Sequence, residues 1–231
     1  MTDVPTPEDT SDLTCDGFLN GRVMAWQPRV GYRAATDPVF LAAACPATSG
    51  DSVLELGCGV GVASLCLAAR VPGLELIGVE RQAAYADLAR RNGISVVEAD
   101  LTALPAELRQ RNFDHVIANP PYFGEGTASS DAGRNAALRE ETPLSEWCGA
   151  ARSRLQQGGW LTMIHLAERL PDLLAALDGY GSISVLPLSA RESRPAGRVV
   201  VRARKGGRGN FTLLAPVLIH EGAQHLSDGD D

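Results

Sequence analysis

From residue 51 to about 178, short apolar runs alternate with amphipathic stretches. "SVLELG", "LELIGVE", "ISVVEAD", "FDHVIAN" and "WLTMIH" read as strands. "GVASLCLAARV", "QAAYADLARRN", a turn in "PAELRQR" and the stretches 143–156 and 168–178 read as helices, the first long one ended by Gly158-Gly159. Strand following helix in this way predicts a parallel sheet covered on both faces. "SISVLPL", "RVVVRAR" and "FTLLAPVLIH" follow with little helix between them, which predicts antiparallel strands at the end. Ahead of the sheet, "GFLNGRVMAWQPRVGYR" carries the hairpin signal Asn20-Gly21. "TDPVFLAAAC" then opens a helix, with Asp37 as N-cap and Pro38 at its first position. The expected architecture is a doubly wound α/β domain with a mostly parallel sheet, antiparallel C-terminal strands and a small N-terminal hairpin extension. Its divisions are a disordered tail over 1–12, a clasp over 13–36, the main domain over 37–226 and an acidic tail over 227–231.

The bulk numbers exclude several classes. With 231 residues and 45% hydrophobic content, the chain can bury the core of one domain. No run reaches the ~18–20 apolar residues of a membrane span, and "MTDVPTPEDTSD" is acidic where a signal peptide is basic and then apolar, so a cytoplasmic protein is expected. Cys15, Cys45, Cys58, Cys66 and Cys148 are scattered and odd in number, which fits reduced thiols. His220 and His225 would lie about 140° apart on a helix, and Gly222 between them favours a turn, so no metal site is expected.

Chemistry gathers where the strands end. The first strand runs into Glu55-Leu56-Gly57-Cys58-Gly59-Val60-Gly61, a glycine turn that lets a ligand approach the backbone at a helix N-terminus. The spacing is G-x-G-x-G behind an acid, not the G-x-G-x-x-G of dinucleotide sites. The second strand ends at Glu80, whose carboxylate can accept both hydroxyls of a ribose, and the third at Asp100. Each feature alone could be a turn, a solvated strand end or a cap. Together they line the rim where open α/β sheets bind ligands. That much negative charge repels a pyrophosphate and suits a sulfonium carrying an amino acid.

"VLELGCGVG", "GVE", "EADL" and "IANPPYF", in this order, resemble a class I (Rossmann-like) S-adenosylmethionine-dependent methyltransferase. "GYRAATDPVFLAAA", "GRNAALREETPLSEW", "RPAGRVVVRARKGG" and "PVLIHEG" narrow the resemblance to the bacterial tRNA adenine-N6 methyltransferase family, over residues 13 to 226. The resemblance implies S-adenosylmethionine as cofactor and tRNA or another structured RNA as partner. It implies a cofactor-binding set of Arg33, Asp37, Glu55, Gly57, Cys58, Gly59, Gly61, Glu80, Arg81, Asp100, Leu101 and Asn119. A protein glutamine methyltransferase shares the "NPPY" chemistry, but the residues ahead of the core are too few for the helical domain of those enzymes.

"NPPY" suits a poor nucleophile. The lone pair of a base amine is delocalised into the ring, so the catalyst must orient the NH2 and accept its protons. The side-chain oxygen of Asn119 and the main-chain oxygen of Pro120 are suitable acceptors, and Pro121 holds the latter rigid. Tyr122 would stack on the extruded base with Phe123 nearby. The polar segment 124–142 is expected to be a lid, with Arg134 and Arg139 able to meet phosphates.

Net charge is −7, yet residues 189–210 carry a local +6, leaving −13 for the rest. As a strand, "RVVVRAR" sets Arg198, Arg202 and Arg204 on one face and Val199 and Val201 on the other. The stripe is either an edge strand guarded by charge or, with Arg22, Arg29 and Arg33, a grip on RNA phosphates around the target base.

Overall fold

The computed structural model describes residues 12–122 and 142–220. The expected tails, apart from Asp12, fall outside the described residues. So do Phe123, Arg134, Arg139, His225 and, apart from Thr142, the expected lid.

Strands β1 (Leu13–Phe18) and β2 (Val23–Pro28) pair antiparallel across Leu19, Asn20, Gly21 and Arg22. Leu19, Asn20 and Gly21 all take positive φ, the conformation that Asn-Gly supplies at least cost. The hairpin is fastened to the domain through Asn92, whose side-chain oxygen accepts from Trp26 N at 2.7 Å and whose amide donates to Trp26 O and Val60 O. Arg91 lies 4.6 Å over the Trp26 ring.

The main sheet runs β10-β8-β9-β7-β6-β3-β4-β5, with β11 pairing to β8. Its strands are β3 (Ser52–Leu56), β4 (Glu75–Glu80), β5 (Ser95–Glu98), β6 (Phe113–Ala118), β7 (Leu155–Leu166), β8 (Tyr180–Ser189), β9 (Arg198–Lys205), β10 (Thr212–Leu213) and β11 (Val217–Leu218). Helices α1 (Asp37–Ala44), α2 (Val62–Arg70) and α3 (Ala83–Arg91) lie on one face, where Leu41, Val62 and Leu67 pack with Val53, Ile117, Ile164 and Val200. Helices α4 (Ala106–Arg109), α5 (Leu144–Arg154) and α6 (Leu170–Ala175) lie on the other, where Leu108, Trp147 and Leu173 meet Leu54, Leu56, Phe113 and Met163. β3 is a nearly unbroken buried run because helices cover both its faces. The chain winds outward from β3 to β4 and β5, then returns to β6 and β7, so the topological switch falls between β3 and β6.

Four local expectations need correction. Thr36, not Asp37, is the N-cap of α1; Asp37 is its first residue, leaving the carboxylate free to reach side chains elsewhere in the fold. Gly158-Gly159 does not stop a helix, because α5 already ends at Arg154 and the glycines sit inside β7 at a register shift against β6. β8 and β9 are antiparallel to each other, and β9 to β7, as expected, but the fragments of "FTLLAPVLIH", β10 and β11, pair parallel to β8. β9 is an interior strand between β7 and β8, which removes edge protection as the reason for its arginines. Its alternation is as expected, with Val199 and Val201 buried opposite the arginines.

Candidate active site

The carboxyl ends of β3, β4, β5 and β6 open on one cavity of about 360 Å³. Beyond β3, Gly57 has φ +64°, and a Cβ there would lie 2.6 Å from the Trp147 ring, so the loop can press against α5 only as glycine. Glu55 is 4% exposed, and its Oε2 accepts from Ser64 N at 3.1 Å and from Ser64 Oγ. Burial pushes its carboxyl up to about 7. Glu80, 6% exposed, closes the loop from the next strand: Oε2 accepts from Gly59 N at 3.0 Å and Oε1 from Gln82 N at 2.9 Å. Asp100 accepts from Thr102 Oγ1 and Thr102 N at 2.6 and 2.8 Å, and these bonds hold its carboxyl below the usual range.

Across the switch, Ala118 pairs in register with Leu56, so Asn119 and Gly57 leave adjacent strand ends side by side. The Tyr122 hydroxyl contacts Asp37 Oδ2 and lies 2.7 Å from Asn119 Oδ1. Arg198 Nε donates to Asp37 at 3.1 Å, and the guanidinium lies 4.8 Å over the Tyr122 ring. His165 packs edge-on against the same ring at 5.3 Å. Its Nδ1 accepts from Leu166 N at 2.9 Å, and burial pulls the imidazole down to about 4, so it is neutral at pH 7 with its proton on Nε2. Tyr122 therefore has one ring face already taken by Arg198.

Of the residues expected to bind cofactor, Arg33, Asp37, Glu55, Gly57, Cys58, Gly59, Glu80, Arg81, Asp100, Leu101 and Asn119 all line the cavity, as do Pro120, Pro121, Tyr122 and Arg198. Gly61 does not: with φ +85° it caps α2, and a Cβ would meet Ile94 at 2.8 Å, so its task is packing. Arg33 spends its guanidinium within the hairpin, on Asp16 at 2.6 Å and on Thr14 and Pro28. Arg22 likewise donates to Ala69 O. These two hairpin arginines thus brace the fold. β9 separates the others: Arg198 stands at the rim, Arg202 reaches Ser184, and Arg204 donates to Gly158 O at 2.8 Å beside Trp160, at the opposite end of the sheet.

Tyr32, Tyr85, Gln82 and Trp147 also line the cavity and escape the sequence reading. Tyr32 sits by Gly59, and its backbone N donates to the Tyr85 hydroxyl at 2.9 Å. The hairpin's exit delivers Tyr32, and "VGYR" beside Arg33 is the signal that could have found it.

The charges specify a ligand. Glu55 takes the Ser64 amide in the first turn of α2, and Glu80 and Asp100 add carboxylates, so a phosphate finds no welcome here. A cation suits the carboxylates of this lining better. Among the described residues no group of three or more potential metal ligands occurs, and no helix is long and apolar enough to cross a membrane.

Residues 36–171 match the family described as the methyltransferase small domain. The tRNA1(Val) (adenine(37)-N6)-methyltransferase of Dickeya chrysanthemi is 28% identical over 221 residues, covering 90% of this chain and 87% of the relative. The protein of that name in Actinobacillus succinogenes is 31% identical, covering 67% and 69%. The crystal structure of a predicted O-methyltransferase from Agrobacterium tumefaciens superposes with a TM-score of 0.67 at 27% identity, covering 84% of this chain and 94% of that one. The chain belongs to the methyltransferase small domain family and, within it, to the bacterial tRNA1(Val) (adenine(37)-N6)-methyltransferases: it is a class I, S-adenosylmethionine-dependent methyltransferase.

Proposed function

We propose that this chain methylates the exocyclic N6 amine of an adenine in tRNA, working in the cytoplasm. The observation that carries the reading is the apposition of Gly57 and Asn119 on neighbouring strand ends, which puts the acid-rimmed cradle and the "NPPY" acceptors in one cavity. S-adenosylmethionine supplies an electrophilic methyl on a sulfonium. Glu80 would hold the ribose hydroxyls, Asp100 and Leu101 the adenine end, and Glu55 with Gly57 and Gly59 would support the amino-acid end. Asn119 and Pro120 accept the two N–H bonds of the target amine and so free its lone pair. The amine needs no ionised base, because its nitrogen becomes acidic only as the methyl arrives. Tyr122, on the ring face not covered by Arg198, and Phe123 stack on the extruded base. Arg134 and the β9 arginines, Arg198, Arg202 and Arg204, contact RNA.

The test is incubation with labelled cofactor and unmodified tRNA, followed by mass spectrometry of the nucleosides. N6-methyladenosine is the expected product. Label in protein glutamine, or no transfer to any tRNA, overturns the reading.

A further inference from the structure

Four side chains from three separate parts of the chain form one line of contacts: Arg198 to Asp37, Asp37 to Tyr122, Tyr122 to Asn119. Asp37 and Arg198 make an ion pair, with side chains 19% and 34% exposed, and all four residues line the cavity. A phenol has one proton, yet the Tyr122 oxygen touches both a carboxylate oxygen and a side-chain amide. The carboxylate is the stronger acceptor, since a charge-assisted hydrogen bond is roughly twice as strong as a neutral one. Burial, and then the neighbouring Asp37, raise the phenol's pKa, so it keeps the proton it donates.

The consequence falls on Asn119. A Tyr122 oxygen that has given its proton to Asp37 offers only lone pairs to the amide 2.7 Å away. An amide oxygen placed there would face another acceptor with no hydrogen between them. Asn119 Oδ1 is the atom that lies against Tyr122, but the oxygen and nitrogen of an amide are told apart only by their hydrogen bonds, and here those bonds require the amide turned over, with Nδ2 toward Tyr122. We propose that Asp37 is a positioning residue: held by Arg198, it takes the Tyr122 hydrogen bond, which makes Tyr122 accept from Asn119 Nδ2 and turns Asn119 Oδ1 toward the substrate amine. This inference rests on the amine-methylating reading above. It gives the first turn of α1 a part in transfer that its place in the sequence does not suggest. Arg198, in this arrangement, serves the catalytic loop as well as the rim.

The test has two arms. In the first, the Asn119 side-chain amide of the full-length protein is observed by nitrogen-15 NMR, identified by its loss in Asn119→Asp. Its protons are expected to be protected from exchange in the wild type, with protection lost in Asp37→Asn and in Tyr122→Phe. In the second, single-turnover transfer to unmodified tRNA at saturating cofactor is expected to slow about tenfold or more in each variant. The double variant is expected to be no slower than Tyr122→Phe alone, because Asp37 acts through Tyr122. An unprotected Asn119 amide in the wild type, a wild-type rate in Asp37→Asn, or losses that multiply in the double variant would each overturn the proposal. If the wild type methylates no tRNA adenine, the functional reading falls, and the NMR arm still decides the direction of the amide.

Discussion

The two halves of the cavity are built over different distances along the chain. In the cofactor half, Glu55 reaches Ser64 nine residues on, and Glu80 reaches back 21 residues to Gly59. In the acceptor half, Tyr122 meets Asp37 across 85 residues and Arg198 meets Asp37 across 161. The first half is a product of one strand-turn-helix unit and its neighbour. The second is closed only when β9 inserts between β7 and β8 and brings its amino end to the rim. A site of this kind can lose either half without losing the other, and substitutions can show whether it does.

The largest effect belongs to Asn119→Ala, which removes an acceptor whose interaction strengthens toward the transition state. Transfer is expected to fall about 10²-fold or more with cofactor affinity unchanged. Parallel loss of rate and affinity would mean that the halves are one unit. Glu80→Ala is the converse: calorimetry is expected to show cofactor binding weakened by about 1.5–3 kcal/mol, the range for hydrogen bonds to a charged group. Glu80 also ties Gly59 and Gln82, so part of that loss is slackening of the loop. Unchanged affinity in a folded variant would remove Glu80 from the cofactor half.

This contrast governs what could be read from the sequence. Glu55, the glycine loop, Glu80, Asp100 and "NPPY" are visible because each follows directly on a strand whose apolar run is itself visible, and a parallel sheet lines up strand ends without any knowledge of pairing order. Asp37 reads as a cap because Asp before Pro at a helix start is a strong local signal. Its partners are fixed by tertiary packing, which no local signal encodes. Nothing local marks Trp147 of α5 as a cavity residue until its contact with Gly57 is known. The arginines of β9 share a face, as alternation requires, but alternation is silent on where a strand sits in a sheet. An interior antiparallel strand and a guarded edge strand look alike until pairing is seen.

A smaller effect tests the cofactor half alone. Glu55 has a folded value of about 7 against an ordinary 4.5, so between the two the folded state keeps a proton that the unfolded chain has released. Stability therefore falls as pH rises through that window, by at most about 1.4 kcal/mol per pH unit, and levels off above about 7. Denaturant midpoints of the wild type and Glu55→Gln, compared from about pH 3 to 9, should converge in slope above and below the window and differ within it. Identical pH profiles would place the Glu55 carboxyl at an ordinary value despite its burial.

The smallest effect lies on β9, where the same strand contributes to the acceptor half at one end and leaves it at the other. Arg202 is four residues from Arg198, about 13 Å along a strand, and Arg204 is farther still. Neither can touch a base held at Asn119. Their described partners are modest, with Arg202 near Ser184 at 3.4 Å and Arg204 on Gly158 O and 5.7 Å from the Trp160 ring centre. If RNA extends from the rim along this face, each of the two arginines neutralises a phosphate and releases counterions. Arg202→Ala with Arg204→Ala would then lower the steepness of log K against log salt by about 0.7 to 0.9 for each phosphate no longer neutralised. Cofactor affinity and the single-turnover rate at saturating tRNA should stay at wild-type values, because the cavity is untouched. The same substitutions should cost about 0.5–1 kcal/mol of stability through the Trp160 interaction alone. A flattened salt slope with an intact rate would show RNA leaving the rim along β9. Equal slopes would confine the RNA contacts of this strand to Arg198, where the ion pair with Asp37 already ties recognition to the acceptor half.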